Sequence, residues 1–272
     1  MSDVDKTRLK ARFARGLATY RQAAHVQAMM AGTLMDALAA VRPERHFWRI
    51  LELGCGDGLL TSRIEETLSY GQLTLVDIVP ACADCHCHRP RAQFTPGDME
   101  TMPLPEADLV LAGAVFQWAA DLPGLLRRLQ RLLSRDGLLA FSTFGPDNLR
   151  EIAALTGRSL SYSSLADLVA LLQASQFTVL AAREEHRVLF FPNATAVLEH
   201  LRDTGVNGVK SGKPWTRHVL RDFSERYQQD YAGADGRVPL SYHPLWIVAQ
   251  KNPSAPAAPE DGRHPATNGE SA

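Results

Sequence analysis

ILELGCGDG, residues 50 to 58, decides the fold: an apolar run carrying a carboxylate at Glu52 breaks into glycines at alternate positions, Gly54, Gly56 and Gly58. This reads as a buried strand ending in a ligand-binding turn, because glycine tolerates positive φ and lets the backbone approach a ligand closely. Leu60, Ile64 and Leu68, four apart, predict a helix directly after it, with an apolar face toward a sheet and its first amides aimed back into the turn. The glycines make a GxGxG rather than the GxGxxG of dinucleotide dehydrogenases, since Leu59 stands where the last glycine would be. No Gly-Lys pair with Ser or Thr follows the turn, which excludes a triphosphate loop. Glu52 suits an ammonium or sulfonium better than a pyrophosphate, so a cationic ligand is expected. About 20 residues on, QLTLVD (72 to 77) predicts a second strand whose last residue, Asp77, is placed to accept hydrogen bonds from both ribose hydroxyls.

These residues, together with Asp98 in GDME (97 to 100) after a third short strand, resemble the S-adenosylmethionine site of the seven-stranded methyltransferases. The resemblance implies an α/β fold: a Rossmann-like seven-stranded sheet with helices on both faces. It also implies roles. Glu52, Gly54 and Gly56 would flank the methionine part of the cofactor, Asp77 would hold the ribose with Ile78 beside it, and Asp98 with Met99 would meet the adenine.

The bulk of the chain is compatible with one large domain. Its 272 residues are 45% hydrophobic and 22% charged, enough to bury a full core. No apolar run approaches the roughly 18 residues of a spanning helix, and MSDVDKTRLK is too polar for a secretory signal, so a cytoplasmic location is expected. Four cysteines, three of them between 82 and 87, make no secreted disulfide framework. The net charge of −1 conceals a basic start, with Lys6, Arg8, Lys10, Arg12, Arg15 and Arg21 against Asp3 and Asp5, to which an acidic partner could bind.

From Thr7 to about Ala40 the periodicity predicts a helix, with Leu9, Phe13, Leu17, Tyr20 and Ala24 on one stripe. Residues 1–40 are read as a helical lid segment that presents Tyr20 and Gln27, or as a helix packed on the sheet's flank. CADCHCH (82 to 88) has the residue types of a zinc site, but all its candidate ligands lie within seven consecutive positions, and no metal is expected. Small buried thiols and surface imidazoles are expected there instead. ADLVLAG (107 to 113) predicts a fourth strand, with VFQW (115 to 118) at its carboxyl end, where open α/β sheets place chemistry. Asp121 and Pro123 start a helix carrying Leu125, Leu126, Leu129, Leu132 and Leu133, ended by Gly137, and LLAFST (138 to 143) is the fifth strand. Ser164 with Asp167 marks another helix start, followed by a strand from FTVLAA continuing to about Phe191. The final strand is LWIVAQK (245 to 251). The resemblance implies that residues 41–251 form the methyltransferase domain, with a helical insert expected at about 192–240. Two helices are expected in the insert, about Ala194 to Asp203 and Trp215 to Tyr231, with Lys210, Lys213, Arg217 and Arg221 unbalanced by acids before Asp222. With the N-terminal segment the insert would form a cap, and the tail 252–272 is expected to be disordered.

Outside the cofactor motifs, FARGLATYRQAAHVQ, FQWAADL, FSTFGPDNLREI, TGVNG, PWTRHVL and PLSYHPLWIVAQK resemble the malonyl-acyl-carrier-protein O-methyltransferases of biotin synthesis. The chain differs from them at Ala112 and Gly113, where serine and asparagine are frequent, and in its cysteine cluster. The resemblance implies S-adenosylmethionine as methyl donor and a malonyl-acyl-carrier protein as acceptor, with neither nucleic acid nor membrane as partner. The product would be the methyl ester that primes pimeloyl synthesis. A carboxylate is already ionised at neutral pH, so no general base is required and positioning with desolvation suffices. Tyr20, Gln117 and Trp118 are the candidates for the acceptor site, with Tyr242 or His243 as further ones. Two other readings stand beside this one: a methyltransferase of another small carboxylic acid or metabolite, and a non-catalytic S-adenosylmethionine-binding partner subunit. Basic helices favour the carrier protein, which is acidic, and the intact glycine motif disfavours the subunit.

Overall fold

In the computed structural model, residues 5–157, 159–205 and 216–253 are described. Helices α1 (Lys6–Ala23) and α2 (His25–Val41) precede strand β1 (His46–Leu53), then α3 (Leu59–Thr67), β2 (Ser69–Asp77), α4 (Ala83–His86), β3 (Ala92–Pro96) and β4 (Ala107–Gly113). There follow α5 (Leu122–Leu132), β5 (Leu133–Phe144), α6 (Arg150–Thr156), α7 (Leu165–Ala174) and β6 (Phe177–Glu184). The chain closes with β7 (Arg187–Phe191), α8 (Ala194–Asp203), α9 (Arg217–Tyr231), β8 (Val238–Tyr242) and β9 (Pro244–Lys251).

Seven strands form one sheet in the order β3-β2-β1-β4-β5-β9-β6, and β7 pairs with β8 in a separate two-stranded sheet. β1 to β5 are parallel, while β9 is antiparallel to both β5 and β6. The winding reverses between β1 and β4, and open α/β sheets bind ligands in the crevice that such a reversal leaves at the strands' carboxyl ends. Successive residues alternate between two core layers. Ile50, Leu109 and Leu111 join Met30, Leu34 and Leu38 of α2 on one face, and Leu51, Leu53, Val110 and Ala112 join Leu125, Leu126 and Leu129 of α5 on the other. Trp246 of β9, fully buried, donates its indole N–H to the Met30 carbonyl at 2.9 Å and ties α2 to the sheet.

Several boundaries differ from the sequence reading. The helix expected from Thr7 to about Ala40 is two helices that break at the buried Ala24, whose φ of −83° and ψ of 43° are not helical. No Gly or Pro marks the break; α2 lies on the sheet while the stripe of α1 faces a cavity, and tertiary packing overrides propensity there. Strand β5 begins at Leu133, so Leu133 and Gly137 belong to the strand rather than to the helix and its stop. The strand expected to run on to Phe191 ends at Glu184, and residues 187–191 form β7 against β8, a pairing that the sequence reading missed. Asp121 caps α5 through the Gly124 N–H, and Ser164 with Asp167 makes the expected reciprocal cap of α7. In the insert α8 spans the expected residues and α9 starts at Arg217. Lys210, Lys213, Trp215, most of TGVNG and the tail beyond Pro253 lie outside the described residues. Arg221 has Glu225 and Asp222 each at 3.6 Å, so its charge is compensated by acids that follow it in the chain. Among the described residues no helix is long and apolar enough to cross a membrane.

Candidate active site

The crevice is built around the glycine turn. Gly54, Gly56 and Gly58 have φ of +70°, +50° and +89°. A Cβ on Gly54 would meet Val115 at 2.5 Å, whereas one on Gly56 would meet nothing within 4 Å. Gly54 is therefore constrained by packing and Gly56 by the space it leaves open. The turn is laced to β2 by the Gly54 N–H to the Val76 carbonyl at 2.7 Å. Asp77 accepts the Gly56 N–H at Oδ2 (2.9 Å) and the Val79 N–H at Oδ1 (2.8 Å), which fixes its carboxylate plane.

Glu52 is 1% exposed, and neither carboxylate oxygen has a hydrogen-bond partner. Burial pushes its carboxyl up to about 8, although the nearby Thr61 hydroxyl and Arg89 charge pull the other way; the Thr61 oxygen itself stays outside hydrogen-bond geometry. An unpartnered buried carboxyl is costly unless something cationic meets it.

At the β3 end, Asp98 accepts the Lys6 ammonium at 2.6 Å, and Lys6 also pairs with Glu100. Glu100 in turn accepts the backbone N–H groups of Ala120 (3.0 Å) and Asp121 (2.7 Å). Arg128 donates to the carbonyls of Met99 (3.0 Å) and Met102 (2.6 Å), so the Asp98–Met99 loop is braced from α5. Neither brace was apparent from the sequence, because both reach the loop from residues 20 or more positions away.

The cysteine cluster contains another support. His86 is buried rather than a surface imidazole, stacked on Phe94, with Nε2 3.0 Å from the Gly56 carbonyl. A carbonyl only accepts, so Nε2 carries the proton; burial lowers the ring's pKa and keeps it neutral. Cys82 is buried and Cys87 exposed.

A cavity of about 1100 Å³, including its mouth, joins these groups: Glu52, Gly54, Gly56, Asp77, Ile78, Asp98 and Met99 all line it. Another wall is α1, whose stripe of Leu9, Phe13, Leu17 and Tyr20 lines the cavity. Lys6 near one end of α1 meets Asp98, and Arg21 near the other donates to the Asp57 carboxylate (3.2 Å) and carbonyl (2.8 Å). A smaller cavity of about 320 Å³ shares Phe13, Tyr20, Gln27, Ala114 and Trp118 with it and adds Gln117, Phe144, Tyr162 and Thr204. The structure thus brings Tyr20, Gln117 and Trp118 together. Trp118 packs edge-on against Phe13, ring centroids 5.8 Å apart. Gln117 donates to the Ala114 carbonyl (2.6 Å) and accepts from Thr143 (3.1 Å), steadying Ala114 at its φ of +51°. Tyr242 and His243 are not in the lining; Tyr242 is buried against His200 (2.7 Å), and His243 faces Glu184 (3.3 Å).

Residues 51–141 match the family described as "Methyltransferase domain". The malonyl-acyl-carrier-protein O-methyltransferase of Prosthecochloris aestuarii is 35% identical over 263 residues, 94% of this chain and 97% of the relative. That of Chlorobium luteolum is 37% identical over 255 residues, 91% and 96% of the two chains. The chain belongs to this family. It is a methyltransferase with S-adenosylmethionine as methyl donor. In fold it is similar to a putative methyltransferase from Bacillus halodurans C-125, with a TM-score of 0.60 at 16% identity over 82% of this chain and 98% of that one. It is also similar to the 1,6-didemethyltoxoflavin-N1-methyltransferase of Burkholderia thailandensis, solved with S-adenosylhomocysteine bound (TM-score 0.54, 16% identity, 93% and 92% covered). The residues present fit the donor: the unpartnered Glu52 carboxyl suits an ammonium, and the open space at Gly56 admits a ligand against backbone.

Proposed function

We propose that the chain methylates the free carboxyl of a malonyl-acyl-carrier protein, in the cytoplasm, to the methyl ester that primes pimeloyl synthesis toward biotin. S-adenosylmethionine, when bound, supplies an electrophilic methyl group on a sulfonium. Glu52 takes the ammonium, Gly54 and Gly56 give backbone contact, Asp77 accepts from the ribose hydroxyls beside Ile78, and Asp98 with Met99 holds the adenine. Tyr20, Gln117 and Trp118 position the acceptor.

One observation carries this reading. Among the described residues that line the smaller cavity there is no Asp, Glu, His, Lys or Cys. Burial, with the charges of Asp57 and Asp77 nearby, raises the Tyr20 phenol above its ordinary value, so it too is a poor base. An alcohol or amine acceptor would need its proton removed, whereas a carboxylate, ionised well below neutral pH, needs only orientation. Opposite charges also disappear together as the ester forms, a change that exclusion of water from the site would favour.

Labelled methyl transfer to malonyl-carrier protein, malonyl-coenzyme A and free malonate tests the reading. The carrier-bound acid should be the preferred acceptor; no transfer to it would overturn the proposal.

A further inference from the structure

We propose that Tyr162 is the donor that receives the acceptor's carboxylate: it lines the smaller cavity, here the acceptor chamber, and its phenolic oxygen is already held by Asn148. This rests on the carboxyl-methylating function proposed above. Tyr162 lies between α6 and α7, and sequence reading gave it no role. It lines the acceptor chamber and not the cofactor cavity, while Tyr20 lines both.

Hydrogen-bond polarity fixes which way the phenol is engaged. The His243 backbone N–H points at Oδ1 of the buried Asn148 at 3.3 Å. A backbone amide only donates, so the amide oxygen of Asn148 must be the atom on that side. Its Nδ2 then donates to Oη of Tyr162 at 3.0 Å. With its oxygen accepting there, the phenol must send its own proton elsewhere, and among the described residues no acceptor takes it. Two other hydroxyls line the chamber: that of Thr204 is engaged with the His200 carbonyl at 2.9 Å, and that of Tyr20 is shared with the cofactor cavity.

A neutral donor suits this reaction. No Lys or Arg lines the chamber among the described residues. A full cation would stabilise the carboxylate more than the transition state, in which its charge is being lost, whereas a phenol orients the oxygen with less of that penalty. Burial pushes the Tyr162 phenol up to about 12, so it carries its proton throughout the neutral range. Asn148 acts as a positioning residue that aims the phenol, and LSYHP contributes through the backbone of His243 rather than its ring.

Tyr162→Phe removes one oxygen and tests the assignment. Binding of malonyl-carrier protein should weaken about tenfold or more relative to binding of the methyl ester product, with cofactor affinity unchanged and only a modest fall in melting temperature as the buried Asn148 amide loses its acceptor. A merely structural role would weaken both acyl forms alike. Asn148→Ala, which leaves the phenol but frees its rotation, should move the same ratio in the same direction by less. Equal weakening of acid and ester in Tyr162→Phe, or no change in either, overturns the role of Tyr162 while an active wild type leaves the proposed function standing. A wild type that cannot methylate malonyl-carrier protein overturns both.

Discussion

The backbone N–H of Gly56 donates to Oδ2 of Asp77 at 2.9 Å, so the residue proposed to hold the ribose also holds the turn proposed to face the methionine part. Asp77→Ala should weaken S-adenosylmethionine binding through a lost charge-assisted hydrogen bond of roughly 1.5–3 kcal/mol, about 10- to 100-fold. Because the Val79 and Gly56 amides lose their acceptor as well, a modest fall in melting temperature should accompany it. Calorimetric titration of a folded variant with unchanged affinity would remove Asp77 from the site.

How much was legible follows from how local each signal is. Glu52, the glycines and Asp77 were readable because strand, turn and helix are consecutive, and their geometry is set within nine residues and one neighbouring strand. The capping pairs at Asp121 and Ser164 were readable for the same reason. The roles of His86 and Arg128 depend on partners 30 and 29 residues away, and the pairing of β7 with β8 on residues still more distant in the chain, so none leaves a local pattern. CADCHCH misled because its residue types suggested either a metal or a surface, while the fold uses His86 as a prop for Gly56.

Two glycines of one motif should fail differently when given a methyl group. Gly54→Ala places Cβ 2.5 Å from Val115 at a φ of +70° and should lower stability enough to deplete the folded protein. Gly56→Ala meets nothing within 4 Å and should cost only the left-handed conformation, roughly 1–2 kcal/mol, while obstructing the cofactor's approach. Thermal melts with cofactor titrations separate them: a Gly56→Ala protein that binds normally would show that this face of the turn is not used.

Glu52 makes binding release a proton. In the free protein its carboxyl titrates near 8 against an ordinary 4.5, so it is protonated at pH 6.5. A ligand α-amino group, with a reference pKa of about 7.7–8.0, is already charged there, and the cation should draw the Glu52 proton off. Calorimetry at pH 6.5 in buffers of different ionisation enthalpy should detect up to one proton released in the wild type and none in Glu52→Gln. The sign for stability follows: the free protein binds this proton more tightly folded than unfolded, so Glu52 makes it less stable as pH rises from 4.5 to about 8. Equal release by both proteins would assign the proton to another group.

Carrier-protein docking should fall on the cap. Thr204, just after α8, and Phe13 and Tyr20 of α1 line the acceptor chamber, and α8 packs against both α1 and α9, so an arm reaching the chamber passes near these helices. Arg217 and Arg221 are exposed on α9, although Arg221 is shared with Asp222 and Glu225 at 3.6 Å, which reduces its pull on a partner. Reversing both arginines to Glu should still raise the apparent Michaelis constant for malonyl-carrier protein at low salt, and leave cofactor affinity and transfer to malonyl-coenzyme A nearly unchanged. The effect should shrink with added salt, since exposed charges are screened over about 10 Å at 0.1 M and such contacts act mainly on encounter rate. Unchanged carrier-protein kinetics at low salt would move the docking surface away from α9, because a reversal of four charge units on a contacted face cannot be silent toward an acidic partner.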